Sequence, residues 1–143
     1  MTGQFQLTDD QLAIREMAQR FTADNITPFA AEWDEKHIFP KDVIKRSAEL
    51  GFGAIYVSEE SGGIGLGRLE AALIMEAMAY GCPATSAYIS IHNMAAWMID
   101  RFGSRGIRGH LERRGRLFDF RQFELDLVLR FAERGLGGFD VLQ

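Results

Sequence analysis

Soft metal ligands are scarce in this chain. Its one cysteine, Cys82, rules out an internal disulfide and suits a reducing compartment. With no charged partner visible beside it, that thiol reads as a packed, inert group. His37, His92 and His110 are scattered, with no i, i+4 pair, so no His/Cys metal centre is expected. Proline is almost as rare, at three residues, which leaves long stretches free to be helical. Basic charge is not in excess: the net charge of −4 gives no electrostatic footprint for nucleic acid. Residues 77–99 lack charge entirely, but Gly81, Pro83, His92, Asn93 and several hydroxyl residues interrupt the run. That pattern fits burial inside protein and argues against a membrane span. The first ten residues have neither a secretory layout nor an Arg-rich transit layout. A cytoplasmic setting is expected, or the mitochondrial matrix if a transit peptide has been removed.

What is present is an ordinary globular composition, 47% hydrophobic and 25% charged over 143 residues, enough for one domain with a core. Thr8 to Phe21 reads as an amphipathic helix. Thr8 and Gln11 form a capping box, Leu7 and Leu12 a hydrophobic staple, and Ile14, Met17, Ala18 and Phe21 an apolar stripe. A second helix is predicted over 26–35, and a third opened by Pro40 and closed by Gly51. Residues 52–67 read as a short extended piece followed by a glycine loop. Residues 68–80 and 84–102 read as helices that are apolar on nearly every side, the second ended by Gly103 as a C′ residue. Such helices belong in the centre of a bundle, so Met75, Tyr88, Ile91, Met94, Trp97 and Met98 are expected to be largely buried.

Composition breaks after Gly103. Residues 104–143 hold eight Arg, no Lys and one Ala, whereas the first 103 hold fifteen Ala and all six Met. The first part carries eight basic and fourteen acidic residues, net −6; the tail carries eight and six, net +2. Residues 123–131 alternate like a strand but are built from Leu, Glu and Arg, which favour helix, so both readings stand. The division expected is therefore a helical domain over 1–103 and an Arg-rich tail over 104–143. Translation of GC-rich DNA out of frame would give such a tail, and so would a genuine divergent ending. If the uncharged helices are left uncovered, either the tail folds back over them or chains self-associate.

Chemistry is hard to find. Gly62, Gly63, Gly65 and Gly67 fit neither a G-x-G-x-x-G register, since Arg68 falls where its last glycine should be, nor a P-loop. They read as a tight connection. The pairs Asp9-Asp10, Asp34-Glu35 and Glu59-Glu60 are neighbours that point apart and cap or solvate, so no general base and no catalytic residue is assigned. Polar Ser90, His92 and Asn93 inside an apolar helix need partners if buried.

The order of blocks L-T-x-x-Q (7–11), P-x-A-x-x-W-D (28–34), F-P (39–40), A-E-L-G (48–51) and G-G-x-G-L-G (62–67) resembles the start of the acyl-CoA dehydrogenases. The run from Gly81 to Gly103, with SAYISIHNM and AWMID, resembles the branch of that family acting on isobutyryl-CoA-like thioesters. The resemblance covers residues 5 to about 104. It implies a mostly α bundle equivalent to the helical N-terminal domain of a three-domain, FAD-dependent enzyme that desaturates an acyl-CoA at Cα–Cβ. It further implies that Tyr88, Ile91 and His92 wall the acyl pocket, although mutual satisfaction in the core explains the polar members equally well. Ile14, Phe21, Phe52, Ile64 and Ile74 match positions that receive a leucine from electron transfer flavoprotein, while periodicity alone places Ile14 and Phe21 in the core. The family's L-T-E-P flavin strand and catalytic glutamate domain have no counterpart after Ser104. This chain alone is therefore expected to bind no FAD and to lack turnover. A small helical binding module, or a non-functional truncated product, is the alternative reading.

Overall fold

The computed structural model describes residues 6–103, which form five α-helices and a single 3-10 turn. Expectations placed on 104–143, the strand-or-helix segment and the cover by the tail among them, lie outside the described residues.

Helix α1 (Asp9–Asn25) starts where the capping box puts it. The Gln11 N–H donates to Thr8 Oγ1 at 3.2 Å and the Thr8 N–H donates to Gln11 Oε1 at 3.0 Å. Each bond satisfies a donor that the helix itself leaves without a partner. The helix runs four residues past Phe21, and Asn25 closes it by donating to the Phe21 carbonyl at 3.0 Å. The second helix is shorter than the expected 26–35. Pro28 restricts the residue before it, so 26–29 form a turn bonded back to Thr22 and Ile26, and α2 is only Ala30–Glu35. Helix α3 (Lys41–Glu49) is capped by Pro40, and the left-handed Gly51 (φ 85°) turns the chain out of it.

Helix α4 (Arg68–Gly81) packs against α1 on one side and against α5 (Pro83–Phe102) on the other. Gly81 is required where α4 ends against α1, because a Cβ there would lie 2.6 Å from Thr22 Cγ2 and 3.0 Å from Ile26 Cγ2. The core they enclose is centred on Phe21, Phe52, Ile55, Ile74, Met78 and Ile89, with Phe21 and Phe52 edge-to-face at 5.8 Å.

Two expectations fail in α5. Ile91, Met94 and Met98 are exposed, whereas Tyr88 and Trp97, like Met75 of α4, are partly buried and pack against the core as expected. The inward face carries Ile89, His92, Asn93 and Ala96 instead. Hydrophobicity on every side cannot say which side meets a neighbour, and among the described residues α5 has neighbours on one side only. Gly103 ends α5 in extended rather than left-handed backbone (φ −65°, ψ 141°). Glycine is needed there for room, since a Cβ would sit 2.3 Å from the Ile99 carbonyl oxygen.

Candidate functional site: the two faces of the fifth helix

The segment between α3 and α4 has no strand. It doubles back on itself: Ile64, Gly65 and Leu66 donate to the carbonyls of Ala54, Val57 and Ile55 at 2.8–3.1 Å, around a 3-10 turn at Glu59–Ser61. Gly62 (φ 84°) and Gly65 (φ 63°) take left-handed backbone, and Gly63 passes so close to Val57 that a Cβ would lie 2.2 Å from its carbonyl oxygen. The Gly62 and Gly63 N–H groups donate to Glu59 and Ser58 carbonyls at 2.9 Å. With those donors used internally, the loop offers no nest for a phosphate. A flavin dinucleotide, which the resemblance implies, therefore has no pyrophosphate cradle in this loop.

Two side chains of α5, seven residues apart on its inward face, hold this segment in place. Asn93, fully buried, donates through Nδ2 to the Phe52 carbonyl at 2.7 Å and to the Ile89 carbonyl at 2.9 Å, and its Oδ1 accepts from the Ile55 N–H at 2.7 Å. Asp100 accepts from the Ser58 N–H at 3.1 Å, from Ser58 Oγ at 2.9 Å and from Ser61 Oγ. Arg68, the first residue of α4, places its guanidinium 3.7 Å from the Tyr56 ring centroid and 4.7 Å from that of Trp97, bridging the same two elements. In the same first turn of α4, Gln11 Nε2 donates to Glu70 Oε1 at 2.7 Å. That bond, followed by the backbone N–H of Glu70 itself and that of Gly67, holds the Glu70 carboxyl below its ordinary value against the opposing effect of burial.

The three residues assigned to an acyl-pocket wall do not share one surface. His92 is buried, at 6% exposure, on the inward face beside Asn93, and Ile91 is 63% exposed on the opposite one. Tyr88 lies between them, edge-to-face with Phe39 at 4.9 Å. It borders a cleft of about 300 Å³ shared with Trp33, Ile38, Cys82 and Thr85, with Asp34 at its edge. Ile91 instead belongs to a continuous exposed stripe, Ala84, Ala87, Ile91, Met94, Met98 and Phe102, at spacings of three and four residues. Of the five positions assigned to partner docking, Phe21, Phe52 and Ile74 are in the core and Ile14 flanks it, while Ile64 is at the surface with 36% exposure.

Sequence reasoning did not find Asp100, Ser58 and Ser61. The one signal was Asp100 itself, the single acidic residue of the long helix and two turns beyond Asn93. The Arg68 stack had no comparable signal. Among the described residues no cluster of metal-ligating side chains occurs, and no helix is long and apolar enough to cross a membrane.

Residues 8–111 match the family profile described as "Acyl-CoA dehydrogenase, N-terminal domain". Isobutyryl-CoA dehydrogenase, mitochondrial, of Bos taurus is 48% identical over 105 residues, covering 73% of this chain and 25% of that protein. The Dictyostelium discoideum protein of the same name is 50% identical over 98 residues, 68% of this chain and 24% of its own. Acryloyl-CoA reductase (NADH) of Anaerotignum propionicum is 33% identical over 101 residues, 71% and 26% of the two chains. Among solved structures, a chain from work on the electron transferring flavoprotein of Acidaminococcus fermentans superposes with TM-score 0.68 at 33% identity, covering 73% of this chain and 28% of that one. The chain spans about a quarter of the length of the curated relatives it matches.

Proposed function

Because this chain belongs to the acyl-CoA dehydrogenase family through its N-terminal domain, we propose that it supplies the helical wall of a short branched-chain acyl-CoA site, in an FAD-dependent α,β-dehydrogenation of isobutyryl-CoA-like thioesters. The observation that carries this reading is the near-half identity over some hundred residues to two isobutyryl-CoA dehydrogenases. Tyr88 and Ile91 are the wall residues best placed to meet a ligand, one lining the cleft and one on the open stripe. A branched acyl group is recognised by apolar contact with few polar anchors, which these side chains supply. His92, turned inward, acts by setting the packing behind them.

The reaction itself is not assigned to residues 6–103. Glu70 accepts from Gln11 and Asp100 from two serines, so both carboxylates are occupied with structure and neither is offered to a substrate. The flavin would supply the hydride acceptor, and no described residue is proposed to hold it. For electron transfer flavoprotein, Ile64 and Ile14 are the positions proposed to meet the partner, over a floor of Phe21, Phe52 and Ile74. A helical binding module without catalysis is the second reading, favoured by the exposed stripe.

The test joins residues 8–103 to the remaining length of the bovine isobutyryl-CoA dehydrogenase in place of its own N-terminal segment. The chimera is expected to carry flavin and to reduce an artificial acceptor with isobutyryl-CoA, and Ile91→Trp should raise KM several-fold. The present chain alone is expected to show no visible flavin band and no acceptor reduction. A chimera that retains flavin but ignores isobutyryl-CoA would refute the substrate assignment. Flavin bound stoichiometrically by this chain alone would refute the division of labour.

A further inference from the structure

We propose that Asp100 is a positioning residue for partner docking: by fixing the turn at Ser58–Ser61 it sets where Ile64 stands on the surface. The inference rests on the reading that Ile64 meets electron transfer flavoprotein, and adds the residue that holds Ile64 ready. Ile64 lies between the 3-10 turn and α4, in irregular backbone that has no helix or strand to steady it. Two of its contacts are its own. Its N–H donates to the Ala54 carbonyl at 3.1 Å, and its side chain lies on Gly51, where a Cβ would be 2.8 Å from Ile64 Cγ2. The third hold comes through its neighbour. Gly63 donates to the Ser58 carbonyl at 2.9 Å and lies flush on Val57, with no room for a side chain between them. The place of Ile64 therefore follows the place of Ser58.

Ser58 is in turn gripped by Asp100, which accepts its N–H at 3.1 Å and its hydroxyl at 2.9 Å and accepts the Ser61 hydroxyl at the end of the 3-10 turn. An ionised acceptor makes these bonds stronger than neutral ones. Asp100 stands in the last turn of the 20-residue α5, which is packed along α4, so the clamp is fixed to a rigid element. The two inward pins of α5 divide the work. Asn93 bonds to Phe52 and Ile55, beneath the surface, and Asp100 bonds to the turn that leads to the exposed isoleucine. An apolar anchor already held in its bound position spares the encounter the cost of ordering it, and a released one must be ordered each time. Loss of the clamp is thus read in affinity, through a side chain that Asp100 does not itself replace.

Titration calorimetry of the full chain with bovine electron transfer flavoprotein tests this. Ile64→Ala is expected to weaken binding about ten-fold, and Asp100→Ala, which leaves Ile64 in the chain, by nearly as much. The double variant should bind no worse than the weaker of the two, because both act through one contact. Asp100→Asn, which keeps an acceptor for the Ser58 N–H, should recover most of the affinity. Ser86→Ala removes a different bond between α5 and α4, to the Met75 carbonyl, and should leave the affinity unchanged. If Asp100→Ala does not fold, Ser58→Ala and Ser61→Ala each withdraw one hydroxyl and should weaken binding about three-fold. No binding by the full chain, or binding that Ile64→Ala leaves unchanged, would remove the docking reading and this inference with it. Binding that Ile64→Ala weakens, but that folded Asp100→Ala or both serine variants leave unchanged, would overturn the inference alone. So would additive losses in the double variant, or an equal loss in Ser86→Ala.

Discussion

Replacing Asn93 by leucine removes a side chain whose three bonds join α5 to the segment between α3 and α4. The Ile89 carbonyl keeps its helical partner, so little is lost there. The Ile55 N–H and the Phe52 carbonyl lose the amide that pairs with them in a place closed to water, since both residues are fully buried. A buried group left unpaired costs about 1–3 kcal/mol, so two give a loss of about 2–6 kcal/mol, with ~4 kcal/mol as the central expectation. Leucine is close enough in volume that no cavity contribution is added. Against the ~5–15 kcal/mol of an ordinary domain, such a loss takes a large share of the total. Urea unfolding followed by helical circular dichroism reads it as a shift of midpoint at constant slope. Ala87→Ser, on the exposed stripe, should stay within about 0.5 kcal/mol and serves as control. A loss below about 1 kcal/mol for Asn93→Leu, with the slope unchanged, would show that the two backbone groups are satisfied some other way and would refute the argument.

The Gln11–Glu70 bond makes stability depend on pH. Because the folded carboxyl titrates below its ordinary 4.5, the unfolded chain binds more protons in that region. The contribution is therefore full above about 4.5 and fades as pH falls through the lowered native value. Gln11→Ala should bring the Glu70 titration, followed by carboxyl NMR, back up, and an unmoved titration would count against the bond. Gly63→Ala drives a Cβ to 2.2 Å from a backbone oxygen and should cost more than about 2 kcal/mol, whereas Gly67→Ala meets only the movable end of Glu70 and should cost under about 1 kcal/mol. Thermal melting of the two variants checks the order, and equal melting points would contradict it.

Three helix starts were legible because each rests on local chemistry, Thr8 with Gln11, Pro40, and the last glycine before Arg68, while α5 begins at Pro83, one residue before the expected 84. The shortening of α2 was legible in principle from Pro28, whose ring restricts the residue before it. The facing of α5 was not. Its outward face is as apolar as its inward one, and what turned it was a pair of polar residues, Asn93 and Asp100, answering backbone groups some forty positions earlier. The glycine loop was read correctly as a connection, because the failed register of its glycines is itself a local fact. The bonds that anchor it are long-range, and no window of sequence contains both ends of them.

That separation has a consequence for the order of events as the chain is made. Residues 52–66 have little regular structure of their own and emerge well before Asn93 and Asp100, which hold them. Until the end of α5 has been synthesised, the Ile55 and Ser58 N–H groups lack those partners and Phe52 lacks half its anchorage. The segment is thus a late-setting part of a domain whose first helix is already capped by its own residues. An interruption of synthesis between residues 58 and 92 would leave a chain that has Phe52, Ile55 and Val57 but not the Asn93 amide that locks them inside.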